Sequence, residues 1–313
     1  MTESMTHRAA DDRELSGVAA TRRGVHDRLA ELDPQRSMTF DPRRTLRLRL
    51  RLEFTRQLTR RRTQVAFGLL LVLPIIIALA FKLGGSACAG SPQLAALATA
   101  GGFNFALFTE FASVGFLLIV LVALFCGDTV SSEASWSSLR YLLAQPVRRS
   151  RLLRQKLIVG ASLSIASIVL LPAWAFLVGG VFFGWAPARS PLGTTFDTSA
   201  SLWRLVIMVG FISLAMMTFA ALAFLLSTAV DNPLGAVGGA VMAAVVSSII
   251  DQITALNSYR NFLPTHYNYA WVDALSSPIR WDDMIRGTGV ALVYAAVFLG
   301  YAWLRFDRKD ITS

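Results

Sequence analysis

The side chains able to do chemistry in this chain are few and scattered. Its three histidines are His7, His26 and His266, and its two cysteines are Cys88 and Cys126. No histidine stands at metal-ligand spacing from cysteines or clustered carboxylates, so no metal centre is expected. A single imidazole without a neighbouring nucleophile also makes a poor acid–base device. The three lysines, Lys82, Lys156 and Lys309, all lack a preceding glycine, which rules out a G-x-x-x-x-G-K-[ST] phosphate loop. No catalytic residue and no cofactor bound by this chain are therefore expected.

Three other features could carry function. Glu110 sits within Phe108-Thr109-Glu110-Phe111, inside an apolar run. A charged side chain at membrane depth costs about 2.5–3.5 kcal/mol on insertion scales, which makes it a candidate pathway or gate residue. The competing reading is a glutamate near the outer boundary, hydrated or paired with a residue such as Lys82. The second feature is the polar stretch Gly127–Lys156. Leu139, Leu142 and Leu143 fall on one helical face with Trp136, Pro146 stops that helix, and a second basic helix starts near Ser150. From composition alone this is equally a solvated amphipathic loop anchored to lipid by arginines. The third is Asp251–Arg286, which mixes Tyr259, Phe262, Tyr267, Tyr269, Trp271 and Trp281 with Asp273, Asp282 and Asp283. Rings with polar tips suit the membrane interface. The segment reads as external or partly re-entrant short helices, with Tyr267 and Trp271 as candidate gate residues, or as an aromatic belt with no gating role.

Apolar runs must position these features. Apolar residues make up 54% of the chain and charged residues 16%, against roughly a quarter charged in a soluble domain. Six apolar stretches approach the length of about 20 residues that crosses a hydrocarbon core of about 30 Å. They are Val65–Phe81, Phe105–Cys126, Leu157–Val178, Leu205–Leu226, Leu234–Ile250 and Gly287–Leu304. Backbone groups inside lipid must be satisfied internally, so each stretch is expected to be a helix. The expected fold is an all-α integral membrane protein with six transmembrane helices. Residues 1–42 read as a disordered tail, with Met38 as a second possible start and no secretory leader expected. Residues 43–64 read as a basic interfacial helix, and residues 65–311 as the transmembrane domain.

The net charge is +10, and 27 of the 30 basic residues are arginine. Basic flanks that anchor helices against anionic lipid explain this better than nucleic acid, which is not expected as a partner. Assigning alternate loops to opposite faces puts 24 Lys and Arg on the side of both termini and 6 on the other. The asymmetry predicts a multi-pass inner (plasma) membrane protein with both termini in the cytoplasm.

The stretch after the second apolar run resembles the type-2 permeases of ABC transporters, the class exporting drugs, polysaccharides and lipids. Their pattern is a Glu, Gly-Thr-Leu-Arg, Leu-Leu, Pro-Val, a basic residue, Leu-Leu and Lys. Here it reads Glu133, Leu139-Arg140, Leu142-Leu143, Pro146-Val147, Arg148, Leu152-Leu153 and Lys156, with Ser137-Ser138 in place of Gly-Thr. The ending Arg305-Phe306, Arg308-Lys309-Asp310-Ile311, the order of spans and Leu263-Pro264 fit as well. The resemblance covers roughly residues 43–311. It implies cytoplasmic coupling helices at Glu133, Trp136, Leu139, Arg140, Leu142, Leu143, Pro146, Arg148 and Lys156. It also implies two copies of a separate ABC ATPase subunit, which would hold the ATP and Mg, and a second permease copy or paralogue. The cargo would be amphiphilic. Within the same family the alternatives are a permease-like subunit for metalloenzyme maturation or for immunity to a peptide antibiotic. Outside it they are an integral-membrane enzyme and a membrane scaffold.

Overall fold

A computed structural model describes residues 51–84, 96–135, 149–189 and 195–308. The chain divides into two units, residues 1–52 and 53–313. The tail at residues 1–42 lies outside the described residues, as does most of the stretch 43–52. Within the larger unit, residues 53–58 are helical and the helix breaks at Thr59 and Arg60. Among the described residues seven long α-helices follow: α1 (Arg61–Gly84), α2 (Gly102–Val114), α3 (Leu117–Ser135), α4 (Arg149–Phe183), α5 (Thr198–Ala229), α6 (Pro233–Asp251) and α7 (Asp282–Arg308). Two 3-10 helices, Thr254–Phe262 and Ala270–Leu275, fill the connection before α7. No strand occurs among the described residues.

Five of these helices, α1, α4, α5, α6 and α7, are long and apolar enough to cross a membrane. Their outward faces carry large apolar side chains, such as Val65, Leu69, Val72 and Ile76 on α1 and Leu292, Val293 and Val297 on α7. A soluble surface would not show such continuous apolar stripes, whereas lipid tails solvate them without cost. The chain is a multi-pass membrane protein.

The expected second span, Phe105–Cys126, is not one straight helix. It comprises α2 and α3, which meet at an angle of 61°. There is no proline at the bend. The hydrogen-bond ladder slips instead: the Gly115 and Phe116 N–H groups both donate to the Ser113 carbonyl, and the regular pattern resumes where Val120 N–H donates to Phe116. Such a tightened turn redirects a helix axis.

A second difference concerns the basic helix expected near Ser150. It is not separate from the third span; α4 runs unbroken for 35 residues through Pro172. At about 1.5 Å per residue it is about 52 Å long, so it outreaches a core of about 30 Å. Asp231-Asn232-Pro233 separates α5 from α6. Asn232 caps α6, its side-chain oxygen accepting from Leu234 N–H at 3.0 Å, and Pro233 stands where a missing donor is harmless.

Small residues set the closest crossings. A Cβ on Gly102 would lie 2.9 Å from the Phe176 carbonyl oxygen and 3.0 Å from the Gly180 nitrogen, so α2 meets α4 backbone to backbone. One apolar cluster packs Ala78, Phe81, Phe105, Ala106, Ala175 and Val178 near this crossing. A second, at the other end of the bundle, packs Cys126, Val130, Leu153, Phe224, Ala240 and Phe306.

Candidate functional site

Glu110 lies on α2, less than two turns before the bend. It is 2% exposed, and neither carboxylate oxygen has a hydrogen-bond partner among the described residues. Its carboxylate is thus withdrawn from the protein surface. Lys82, suggested by sequence as its partner, instead stands over the Phe182 ring, 5.4 Å from its centroid.

The aromatic connection before α7 folds back onto this region. Tyr269 packs on Phe111 at 5.0 Å between ring centroids, and Trp271 meets the same ring edge-on at 6.4 Å. The Tyr269 hydroxyl sits against Gly115 at the bend. Trp271 and Asn268 are buried, and both Trp271 Nε1 and Asn268 Oδ1 lack partners among the described residues. Tyr267 is buried too, against Gly287 at the start of α7. Burial there raises the Tyr267 phenol pKa above its ordinary value.

Several ties hold the connection in place. Arg204 on α5 donates to the carbonyls of Ala274 and Ser276 while its guanidinium covers the Phe196 ring at 4.0 Å. His266 Nδ1 lies 2.6 Å from Asp251 Oδ1, and the Ser247 and Thr265 hydroxyls are 2.8 Å apart. Tyr294 donates to the Phe262 carbonyl. The expected short helices before α7 are therefore present as 3-10 turns, fastened to α5, α6 and α7.

At the opposite end, Asp128 on α3 accepts from Arg60 at 2.6 Å and Arg62 at 3.0 Å. The Arg60 guanidinium also donates to the Ser132 hydroxyl. Lys156 is 3% exposed; its Nζ donates to the Thr129 carbonyl at 3.1 Å and pairs with Glu53 at 3.4 Å. The Ser227 hydroxyl on α5 accepts from the N–H groups of Val130 and Ser131 at 3.0 Å each. The approach to α1, the end of α3 and the start of α4 are thereby fastened together, with α5 beside them.

Of the residues expected to form coupling helices, only Lys156 has a described side chain. Glu133 lies in the last turns of α3. Trp136, Leu139, Arg140, Leu142, Leu143, Pro146 and Arg148 lie outside the described residues. They occupy the interval between Ser135, where α3 ends, and Arg149, where α4 begins.

A family model covers residues 71–312, most of the chain. The chain belongs to the DUF2705 family, described as proteins of unknown function. No curated protein matches it. The matched stretch takes in Glu110, Asp128, Lys156 and the aromatic connection, and begins after Arg60 and Arg62. Among the described residues no group of His, Cys, Asp or Glu is placed to hold a metal ion.

Sequence reasoning missed Asp128, Arg60, Glu53 and Gly115 as positioning residues. An aspartate at the end of an apolar run is a visible signal, but its partner Arg60 is 68 positions away in a segment crowded with arginines. Nothing in the spacing selects that partner.

Proposed function

We propose that this chain is the membrane subunit of an ATP-driven exporter of the type-2 ABC class, working with a separate ATPase. The bent pair α2 and α3 would serve as one span, giving six, with both termini in the cytoplasm of a cell whose plasma membrane holds the protein. Two copies, or one copy and a paralogue, would face each other over two ATPase subunits, and an amphiphilic cargo would pass between them. ATP and Mg would be held by the ATPase.

The observation that supports this best lies beside the segment bearing the type-2 motif. Residues 136–148 join α3 to α4 in the sequence, and both helices are tied near their ends on either side of that interval, Asp128 to Arg60 and Lys156 to Glu53 and Thr129. A push on a segment whose two flanking helices are fastened moves both helices. That is what a coupling element needs when the energy-yielding step occurs in another chain. Trp136, Leu139, Leu142 and Leu143 would supply the apolar anchor, with Glu133, Arg140 and Arg148 fixing its register and Pro146 its corner.

The test is co-purification with its cognate ATPase. Leu139→Asp with Leu142→Asp is expected to detach or uncouple that ATPase while the protein still inserts. If the double variant binds and stimulates the ATPase like wild type, this role for the segment is wrong. Service to metalloenzyme maturation or to antibiotic-peptide immunity remains compatible with the same architecture, and the neighbouring genes separate them.

A further inference from the structure

On α7, Ala291, Ala295, Ala302 and Phe306 are buried and turn into the bundle. Ala302 and Phe306 pack in the same cluster as Val130 and Leu153, near the end of α3 and the start of α4. The other face of α7 is bare. Val293, Val297, Tyr301 and Leu304 are each more than half exposed, and Arg305 and Arg308 are exposed as well. At 3.6 residues per turn, all six fall within about a third of the helix circumference. One face therefore passes from apolar to cationic along a single line. Val293 stands about 18 Å along the axis from Arg305, at about 1.5 Å per residue, close to the thickness of one hydrocarbon leaflet, about 15 Å.

The cationic end of this face is concave. Tyr301, Leu304, Arg305 and Arg308 line a cavity of about 400 Å³, a size that suits a small molecule or a head group. Arg60, Arg62, Arg260 and Arg286 are paired with carboxylates, whereas Arg305 and Arg308 pair with none among the described residues. Basic residues in the last turn offset the helix dipole. That explains two arginines at this end, but not a cavity they share with a tyrosine and a leucine one turn earlier.

We propose that the outward face of α7 binds one anionic phospholipid, its phosphate held in the cavity by Arg305 and Arg308. Each guanidinium presents N–H donors in a planar fork that matches phosphate oxygens. The Tyr301 hydroxyl, at the boundary between apolar and charged residues, supplies a donor for the glycerol ester oxygens. Leu304, Val297 and Val293 carry the acyl chains. Charge selects the lipid: the two arginines favour a head group of net negative charge over a zwitterionic one, whose ammonium they repel. The site requires only that the chain crosses a membrane, so it stands apart from the exporter reading and from any ATPase.

The test is native mass spectrometry of the full chain in detergent, titrated with dioleoyl phosphatidylglycerol or dioleoyl phosphatidylcholine. The first phosphatidylglycerol should bind about fivefold or more tightly than the first phosphatidylcholine. Arg305→Gln with Arg308→Gln should weaken phosphatidylglycerol about tenfold or more, at about 1 kcal/mol for each arginine near the lipid surface. The same variant should leave phosphatidylcholine binding and the melting temperature nearly unchanged, because both side chains are exposed. Arg151→Gln with Arg154→Gln removes two exposed charges from the start of α4 and should have little effect. Equal loss in the two double variants overturns the proposal, since it reports only the overall charge of that end. Displacement of phosphatidylglycerol by inorganic phosphate at equal concentration also overturns it, because the ligand is then a free anion. The wild-type titrations decide the matter even where a variant does not fold: equal affinity for the two lipids overturns the proposal.

Discussion

The hydroxyl of Tyr269 occupies the space that a side chain on Gly115 would need. A Cβ there would stand 2.5 Å from the hydroxyl oxygen, while the next ring atom, Cζ, is at 3.6 Å. The bend between α2 and α3 is therefore fitted to the aromatic connection before α7. Gly115→Ala should destabilise the protein by about 1–3 kcal/mol through overpacking. Tyr269→Phe removes the offending atom and leaves an ordinary contact, so the double variant should recover most of the loss. Thermal unfolding in detergent checks this; if the second change rescues nothing, the contact does not set the bend.

Asp128 neutralises two arginines and is itself nearly buried. Asp128→Asn keeps the shape but leaves Arg60 half-buried with no counter-ion, which should cost about 2 kcal/mol. A double-mutant cycle with Arg60→Gln should show a coupling of at least about 1 kcal/mol. Strict additivity would mean that the pair contributes nothing to fastening α3.

The crossing of α2 and α4 depends on Gly102. A side chain there meets backbone atoms of Phe176 and Gly180, which cannot rotate away as a side-chain tip could. Gly102→Val should separate the helices and lower stability by about 2 kcal/mol or more. Gly210, which has nothing within 4 Å, provides the control: Gly210→Val should leave the melting temperature nearly unchanged.

The charge asymmetry of 24 against 6 basic residues fixes an expected orientation. With Cys88 and Cys126 replaced, Arg148→Cys should resist a membrane-impermeant maleimide in intact cells, and Ser190→Cys should react. Labelling at position 148 from outside reverses the topology.

Hydropathy alone located α1, α4, α5, α6 and α7, because transfer into lipid is decided residue by residue and needs no knowledge of neighbours. The start of α6 was legible for a similar reason, since a cap and a proline act within one turn. The bend at Gly115 was not legible. Glycine tolerates a straight helix as well as a broken one, and a hydroxyl from a distant segment fills the space beside it. The sequence showed that Glu110 was costly but not whether water or a cation relieved it. Only packing withdrew it from the protein surface. Likewise the many arginines before α1 were visible as a basic patch, while the choice of Arg60 and Arg62 for Asp128 depended on how α1 lies against α3. Local patterns record the free energy of placing each residue in water or lipid. Which buried polar groups meet is settled by contacts between remote segments, and those exist only once the helices have packed.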